Sequence, residues 1–230
     1  PKLIQALYDE SLIAAGAQVL PKNPSNLLGK LQYIEYKLAM EIGRKSMKNN
    51  ICISGAFGAF DIKQLKEITE IQNVNPKFEG EDYERTLYLI ERGKTGYFPD
   101  FIVRTEVPES WKKLTKQRIR WGYGFLDKSL KFSEMLKRKD EVGATFWFNY
   151  IVNIGLHPLK LAFLPFLLLT PIDFFLFCSA YSILTGVLFY SVSSKEEKKY
   201  LKYVPLYPLY SIYNLTVPTT IGYAKKLVRK

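Results

Sequence analysis

Sulfur and histidine are scarce in this chain. Its 230 residues include two cysteines and one histidine. Cys52 and Cys178 lie far apart in apolar surroundings, which argues against a disulfide scaffold or a multi-cysteine zinc site. The lone His157 is poor material for a histidine metal centre or a nucleophile-histidine triad. No signal peptide or internal repeat is visible, and the chain opens in mid-element, so further sequence upstream is expected. Acidic residues are also outnumbered: 33 Lys+Arg stand against 22 Asp+Glu, a net charge of +11. Such a balance calls for a polyanion, an anionic membrane surface or phosphorylated substrates. What the chain has in quantity is apolar mass, 47% hydrophobic with 15% aromatic. That supplies a core and excludes a disordered or collagenous chain.

The apolar residues are unevenly placed, with a break near Gly143. From Ala144 to Ser194 the only charged residues are Lys160 and Asp173. A bilayer helix takes about 20 apolar residues, so two spans are expected, 145–169 and 172–193, turning at Thr170-Pro171. In the first, Asn149, Asn153, His157 and Lys160 recur on a helical repeat and Pro158 interrupts it. Lys195 to Lys202 returns to water. A third apolar stretch, 203–223, contains Pro205, Pro208 and Pro218, which reads as a kinked or interfacial element rather than a clean crossing. Asn214-Leu215-Thr216 fits a glycosylation sequon inside apolar sequence, and no function is assigned to it.

The preceding residues alternate between helical and extended patterns. Lys2 to Tyr8 reads as a helix end and Ile13 to Leu20 as a strand. Ser25 to Lys48 reads as a helix with Leu27, Leu31, Ile34, Leu38 and Ile42 on one face. Ile51 to Phe60 is an apolar, glycine-punctuated strand and turn, and Asp61 caps a helix over Ile62 to Ile68. A helix from Asp82 to Arg92, a strand from Tyr97 to Val103 and a long helical run from Trp111 to Lys137 follow. Strands alternating with helices imply an α/β layered domain.

Three short constellations carry chemistry. Glu81-Asp82 opens a helix after a loop with Pro76 and Gly80; a carboxylate held there can serve as a general base, or simply as an acid favoured by the helix dipole. Gln117-Arg118-Ile119-Arg120-Trp121 lies on a basic helix, with Ile119, Tyr123, Leu126 and Leu130 as its apolar stripe. That pattern describes an amphipathic helix on anionic headgroups. Its arginines can also clamp a diphosphate, and its indole can stack on a sugar. In Ser54-Gly55-Ala56-Phe57-Gly58-Ala59-Phe60 two glycines permit a close backbone approach, to a ligand or to a neighbouring strand. This segment lacks the lysine and spacing of a phosphate loop.

In their order and spacing, ahead of apolar spans, these motifs resemble the membrane-embedded processive glycosyltransferases of family 2, the synthases of poly-N-acetylglucosamine, hyaluronan, chitin and cellulose. SGAFGAF at 54–60, GED at 80–82, YFPDFIVRTEVPESW at 97–111 and KQRIRW at 116–121 carry the resemblance, the last being an instance of QxxRW through Gln117, Arg120 and Trp121. The resemblance runs to about residue 195. It implies part of a GT-A type α/β glycosyltransferase domain over 1–110, an amphipathic interface helix with the QxxRW motif over 111–143, and a membrane region over 144–230.

It further implies that Asp82 is the catalytic base for inverting transfer from a UDP-sugar to the end of a growing polysaccharide, with Glu81 tuning its surroundings. Gln117 and Arg120 would hold the donor diphosphate, Trp121 would floor the acceptor sugar, and Arg118 would be among the donor- or acceptor-binding residues. Ser54 and Gly55 would lie near the acceptor terminus. The spans would conduct polymer outward from a cytoplasmic catalytic part of an integral membrane protein. The family's DxD ligands for Mg or Mn would precede residue 1, so the metal is expected for the full-length enzyme and none for this chain alone, which is expected not to turn over by itself. GED stands here where TED is commoner. Two other functions compete. One is a non-processive membrane transferase adding a single sugar to a lipid; the other is an inert membrane adaptor. Nucleic acid is not expected as a partner, because the basic cluster adjoins a span and no recognition module is present.

Overall fold

The computed structural model describes residues 2–22, 24–47, 50–72, 80–169 and 171–228. The expected loop residue Pro76 and turn residue Thr170 lie outside them. The fold is mixed α/β, a three-stranded sheet surrounded by helices. β1 (Ala14–Pro21) is central and buried along its whole length. It pairs antiparallel with β2 (Gly58–Phe60) and parallel with β3 (Thr95–Thr105). A strand covered on both faces reads as continuous apolar and small residues rather than an alternation, as AAGAQVLP does. Ala17 pairs with Phe98 but Gln18 with Ile102, so Pro99, Asp100 and Phe101 bulge from β3; a proline there gives up no ladder bond.

The helices begin with α1 (Lys2–Asp9) and α2 (Leu27–Leu38). Asn26 caps α2 by accepting from Gly29 N at 2.8 Å, and a π-helical turn, Ala39–Arg44, continues it. α3 (Ile62–Gln72) starts at Asp61 as its cap implies, with Gln64 N donating to Asp61 Oδ1 at 2.9 Å. α4 is Glu81–Ile90 and α5 is Trp111–Lys131, followed by a 3-10 turn, Ser133–Lys137. Only Gly58–Phe60 of the strand expected over 51–60 is a strand. Residues 50–54 are instead pinned by side chains: Thr95 Oγ1 donates to Asn50 O at 2.9 Å, and Ile53 N to Thr86 Oγ1 at 2.9 Å.

In the apolar half, among the described residues, the second expected span is a single helix and the first is not. Residues 145–169 do not form one helix: α6 (Glu141–Tyr150) runs into a π turn, Ile151–Gly155, and α7 (His157–Leu169) starts afresh. Pro158 sits in the first turn of α7, where no amide hydrogen is needed. Asn149 and Asn153 donate their side-chain amides to carbonyls four residues back. α8 (Pro171–Val192) is 22 residues with a mean hydropathy of 1.8, and among the described residues it is the one helix long and apolar enough to cross a membrane. It is apolar all round and largely uncovered, with Ile172 75% and Ile183 68% exposed.

The segment 203–223 is carried by a 3-10 helix, Glu197–Leu206, and by α9 (Tyr207–Val228). Pro208 falls in the first turn of α9, where a missing amide hydrogen costs little, while Pro205 lies inside the 3-10 helix and Pro218 inside α9. α9 packs along α5 in parallel: Thr115 meets Tyr213, Gly122 meets Thr219 and Asp127 meets Lys226. A Cβ on Gly222 would stand 2.5 Å from Ile119 O, so this glycine sets the closeness of the two helices. The apolar stripe expected to face headgroups is therefore partly covered by α9, with Leu126 buried and Leu130 42% exposed. Asn214 of the sequon is buried and donates to Glu35 at 3.0 Å, which keeps it from modification in the folded chain. One apolar cluster draws on β1, α2, α5, α8 and α9 through Leu20, Ile34, Leu114, Phe189 and Tyr210. It ties the sheet to the apolar helices.

Candidate active site

Asp82 stands in the first turn of α4, half-buried. Gly80 before it has φ of 85°, a left-handed conformation that glycine tolerates best. A Cβ on Gly80 would also come within 3.1 Å of Gly124 Cα, so two glycines let the start of α4 touch α5. The Asp82 carboxylate is held from both sides. Its Oδ1 accepts from Tyr83 N at 2.8 Å and its Oδ2 from Gly55 N at 3.1 Å. The helix N-terminus favours the negative charge. Thr86 Oγ1 donates to Asp82 O at 2.7 Å while accepting from Ile53 N, so one buried hydroxyl links α4 to the strand of chain that carries Ser54 and Gly55. Glu81 is exposed beside this carboxylate.

The two glycines of SGAFGAF have different tasks. A Cβ on Gly58 would stand 2.6 Å from Ile53 Cγ2 and 2.7 Å from the Phe60 ring, which is tight packing beside the sheet. A Cβ on Gly55 would meet only Asp82, at 3.8 Å. Gly55 is exposed and acts through its N–H. Ser54 turns its hydroxyl onto Ala56 N, accepting at 3.2 Å.

Helical spacing sorts the residues of α5. Gln117, Arg120, Trp121 and Gly124 follow the i, i+3, i+4, i+7 repeat, and Gly124 at the end of this stripe abuts Gly80, two residues before Asp82. Arg120 is exposed and makes no hydrogen bond or ion pair among the described residues, and Trp121 is 42% exposed. Gln117 Oε1 is buried without a hydrogen-bond partner among the described residues. Arg118 lies on another face with Leu114 and Gly122. It is 8% exposed, and its Nη2 donates to Glu35 Oε2 at 2.7 Å. The sequence reading grouped Arg118 with the ligand-binding residues; the fold turns its charge inward. Its guanidinium carbon nevertheless stacks 4.2 Å from the Trp121 ring centre. Glu35 also accepts from Tyr210 and Asn214, so α2, α5 and α9 meet at one carboxylate.

Sequence reasoning did not find Glu35, Thr86 or Glu84. Glu84 is buried between Lys128, at 3.1 Å, and Lys131, joining α4 to α5 a turn beyond the site. An acid four residues into an acidic helix start gave no separate signal. Burial and then the charge of Asp82 push the neighbouring Cys52 thiol up to about 12, so it is not a nucleophile at neutral pH. Among the described residues no group of three His, Cys, Asp or Glu side chains is placed to hold a metal.

Comparison with known proteins bears on this geometry. Residues 8–215 match the model of the glycosyl transferase family group 2. The chain is 28% identical over 131 residues to an N-acetylglucosaminyltransferase of Rhizobium meliloti (strain 1021), covering 53% of this chain and 31% of that protein. It is 29% identical over 140 residues to the hyaluronan synthase of Streptococcus pyogenes serotype M1, covering 56% of this chain and 33% of that protein. The match thus spans about a third of the length of these relatives.

Proposed function

The chain belongs to the glycosyl transferase family group 2, and on that premise we propose that it carries the acceptor-activating part of an inverting glycosyltransferase. Asp82 takes the proton from an acceptor sugar hydroxyl as that oxygen attacks the anomeric carbon of a nucleotide sugar. The bond from that carbon to the diphosphate oxygen breaks, and the nucleoside diphosphate leaves with its electron pair. The observation that supports this reading is the setting of Asp82: its carboxylate accepts from two backbone N–H groups at the start of α4, where Gly80 touches Gly124 of the helix that carries Gln117, Arg120 and Trp121.

Arg120, exposed and without an ion pair among the described residues, binds the diphosphate in this reading. The unpaired Gln117 Oε1 is an acceptor that a ligand hydroxyl would satisfy. Trp121 presents an indole to a sugar face. Arg118 we assign to positioning Trp121. The donor class is a UDP-sugar and the acceptor a polysaccharide end, a reading favoured by the names of the two relatives. α8, exposed and apolar, crosses the bilayer in this reading, and because α9 beyond it packs on α5 before it, the opposite crossing is assigned to the stretch of α6 and α7, which keeps the catalytic part on the cytoplasmic side. Mg or Mn is expected for the full-length enzyme, and no step here runs through it.

The test uses the full-length protein in membranes, supplied with radiolabelled UDP-N-acetylglucosamine or UDP-glucose and magnesium or manganese. Incorporation should fall by about a hundredfold or more in Asp82→Asn and sharply in Trp121→Ala. A ladder of products indicates processive synthesis; a single glycolipid indicates one-step transfer. Mutants equal to wild type would refute the catalytic reading.

A further inference from the structure

Where the chain leaves α8 it enters KEEKKYLK, and the 3-10 helix Glu197–Leu206 folds this segment against α2. A cavity of about 260 Å³ opens there, lined by Pro24, Lys30, Lys199, Tyr200, Lys202 and Tyr203. Lys30 comes from α2 and the other two lysines from the 3-10 helix, so it is the fold that brings the three together. Two of them reach Tyr203, with Lys30 Nζ 5.1 Å and Lys202 Nζ 5.3 Å from the ring centre, and Lys199 Nζ is 5.4 Å from the Tyr200 ring.

No carboxylate is among the described residues lining the cavity. Glu197, the nearest acid in the same helix, is turned inward, 3.2 Å from Lys37 and accepting from Tyr33 at 2.5 Å. The three lysines therefore converge without an ion-pair partner among the described residues, and like charges gathered in this way repel until an anion joins them. The place is also specific. At the last turn of α8, Lys198 Nζ lies 3.6 Å from the centre of the Tyr190 ring. Tyrosines and lysines at the end of an apolar helix mark a headgroup layer, where basic clusters draw anionic lipid.

We propose that this pocket binds the phosphate of an anionic phospholipid headgroup in the leaflet where α8 ends, clamping α2 to the 3-10 helix. The inference rests on α8 crossing the bilayer. It is independent of the assignment of Asp82.

The full-length protein in nanodiscs of phosphatidylcholine with a minority of phosphatidylglycerol tests it, the lipid retained on the protein being counted by native mass spectrometry. Wild type should retain phosphatidylglycerol above its share of the bilayer. The triple variant Lys30→Gln, Lys199→Gln, Lys202→Gln should lose this enrichment by at least about fivefold, and the corresponding triple arginine variant should keep it. If the glutamine triple does not fold, the exposed pair Lys199→Gln, Lys202→Gln is read instead. Equal retention by wild type and the glutamine variant overturns the proposal. So does inorganic phosphate retained by wild type in neutral nanodiscs and displacing phosphatidylglycerol, which makes this a free-phosphate site. Alkaline carbonate extraction of the membranes separates the two readings. Wild type released by carbonate removes the span and the pocket's role together, whereas retained protein with unaltered lipid binding refutes the pocket alone.

Discussion

Arg118 supports Trp121 from beneath, its guanidinium carbon 4.2 Å from the ring centre, and is itself tied to Glu35 at 2.7 Å. The exposed indole therefore rests on a buried ion pair whose other carboxylate contacts are Tyr210 and Asn214 of α9. Through this chain of contacts the orientation of a surface aromatic depends on helices that carry none of the signature residues. Burial alone would lower the proton affinity of Arg118, and the charge of Glu35 outweighs it.

Removing one partner of that pair should expose the dependence. Glu35→Gln leaves a buried guanidinium without its counter-charge and should cost about 3–5 kcal/mol, read as a drop in Tm. Arg118→Met combined with Glu35→Gln should recover much of the stability without restoring transferase activity, because Trp121 has lost its support. Full activity in the double variant would show that the stacking is incidental.

Thr86 is buried completely and serves two backbones, accepting from Ile53 N and donating to Asp82 O. Thr86→Val keeps the shape but leaves Ile53 N–H unpaired, a loss of about 1–3 kcal/mol. Activity should fall further than stability accounts for, since the same segment presents Gly55 to Asp82. Thr86→Ser should restore both. A comparison of thermal unfolding with sugar incorporation for the two variants decides this.

Glycine substitutions should divide by what a Cβ meets. Gly222→Ala forces an atom to 2.5 Å from Ile119 O and should separate α9 from α5, whereas Gly43 has nothing within 4 Å and Gly43→Ala should be neutral or slightly stabilising. Gly55→Ala should leave stability unchanged, because the added carbon only touches Asp82 at 3.8 Å. Unfolding midpoints that fail to rank in this order would contradict the close α5 to α9 packing.

Stability should also respond to acid through Asp127. Burial alone would raise its carboxyl, but hydrogen bonds from Lys226 and Lys128, with their charges, hold it below the ordinary 3.8. Lys128 is shared with Glu84. A folded-state value below the unfolded one means the contribution is complete above pH 3.8 and is lost as pH falls through the lower folded value. Asp127→Asn should therefore lower Tm at neutral pH, and the difference should shrink below about pH 4. A difference that persists at low pH would assign the effect to packing rather than charge.

Some of this was legible in the residues. β1, α4 and β3 lie close to where the apolar runs place them, and α3 begins at Asp61, because those signals are local and act through the backbone. The Asp82 motif could be placed at a helix start for the same reason. Two expectations were modified, one locally and one by packing. Hydropathy over 145–169 describes a membrane span, and within it the backbone passes from α6 to α7 between Tyr150 and His157, next to Gly155 and Pro158. The prolines of 203–223 argue against one straight helix; Pro205 falls in a 3-10 helix, and α9, which holds Pro208 in its first turn and Pro218 inside it, is held by its packing on α5.

The sequence by itself determined that Asp82 opens a helix, that Gln117, Arg120 and Trp121 share one face of another, and that α8 is long and apolar enough to cross a bilayer. These follow from spacing and composition, which no fold can alter. The tertiary structure decided which charges are spent. It buried Arg118 on Glu35 and Glu84 on Lys128, and left Arg120 and the Lys30, Lys199 and Lys202 group without an ion pair among the described residues. Ion pairing depends on partners tens of residues away, so the type of a charged residue does not tell whether it faces a ligand or holds the fold together.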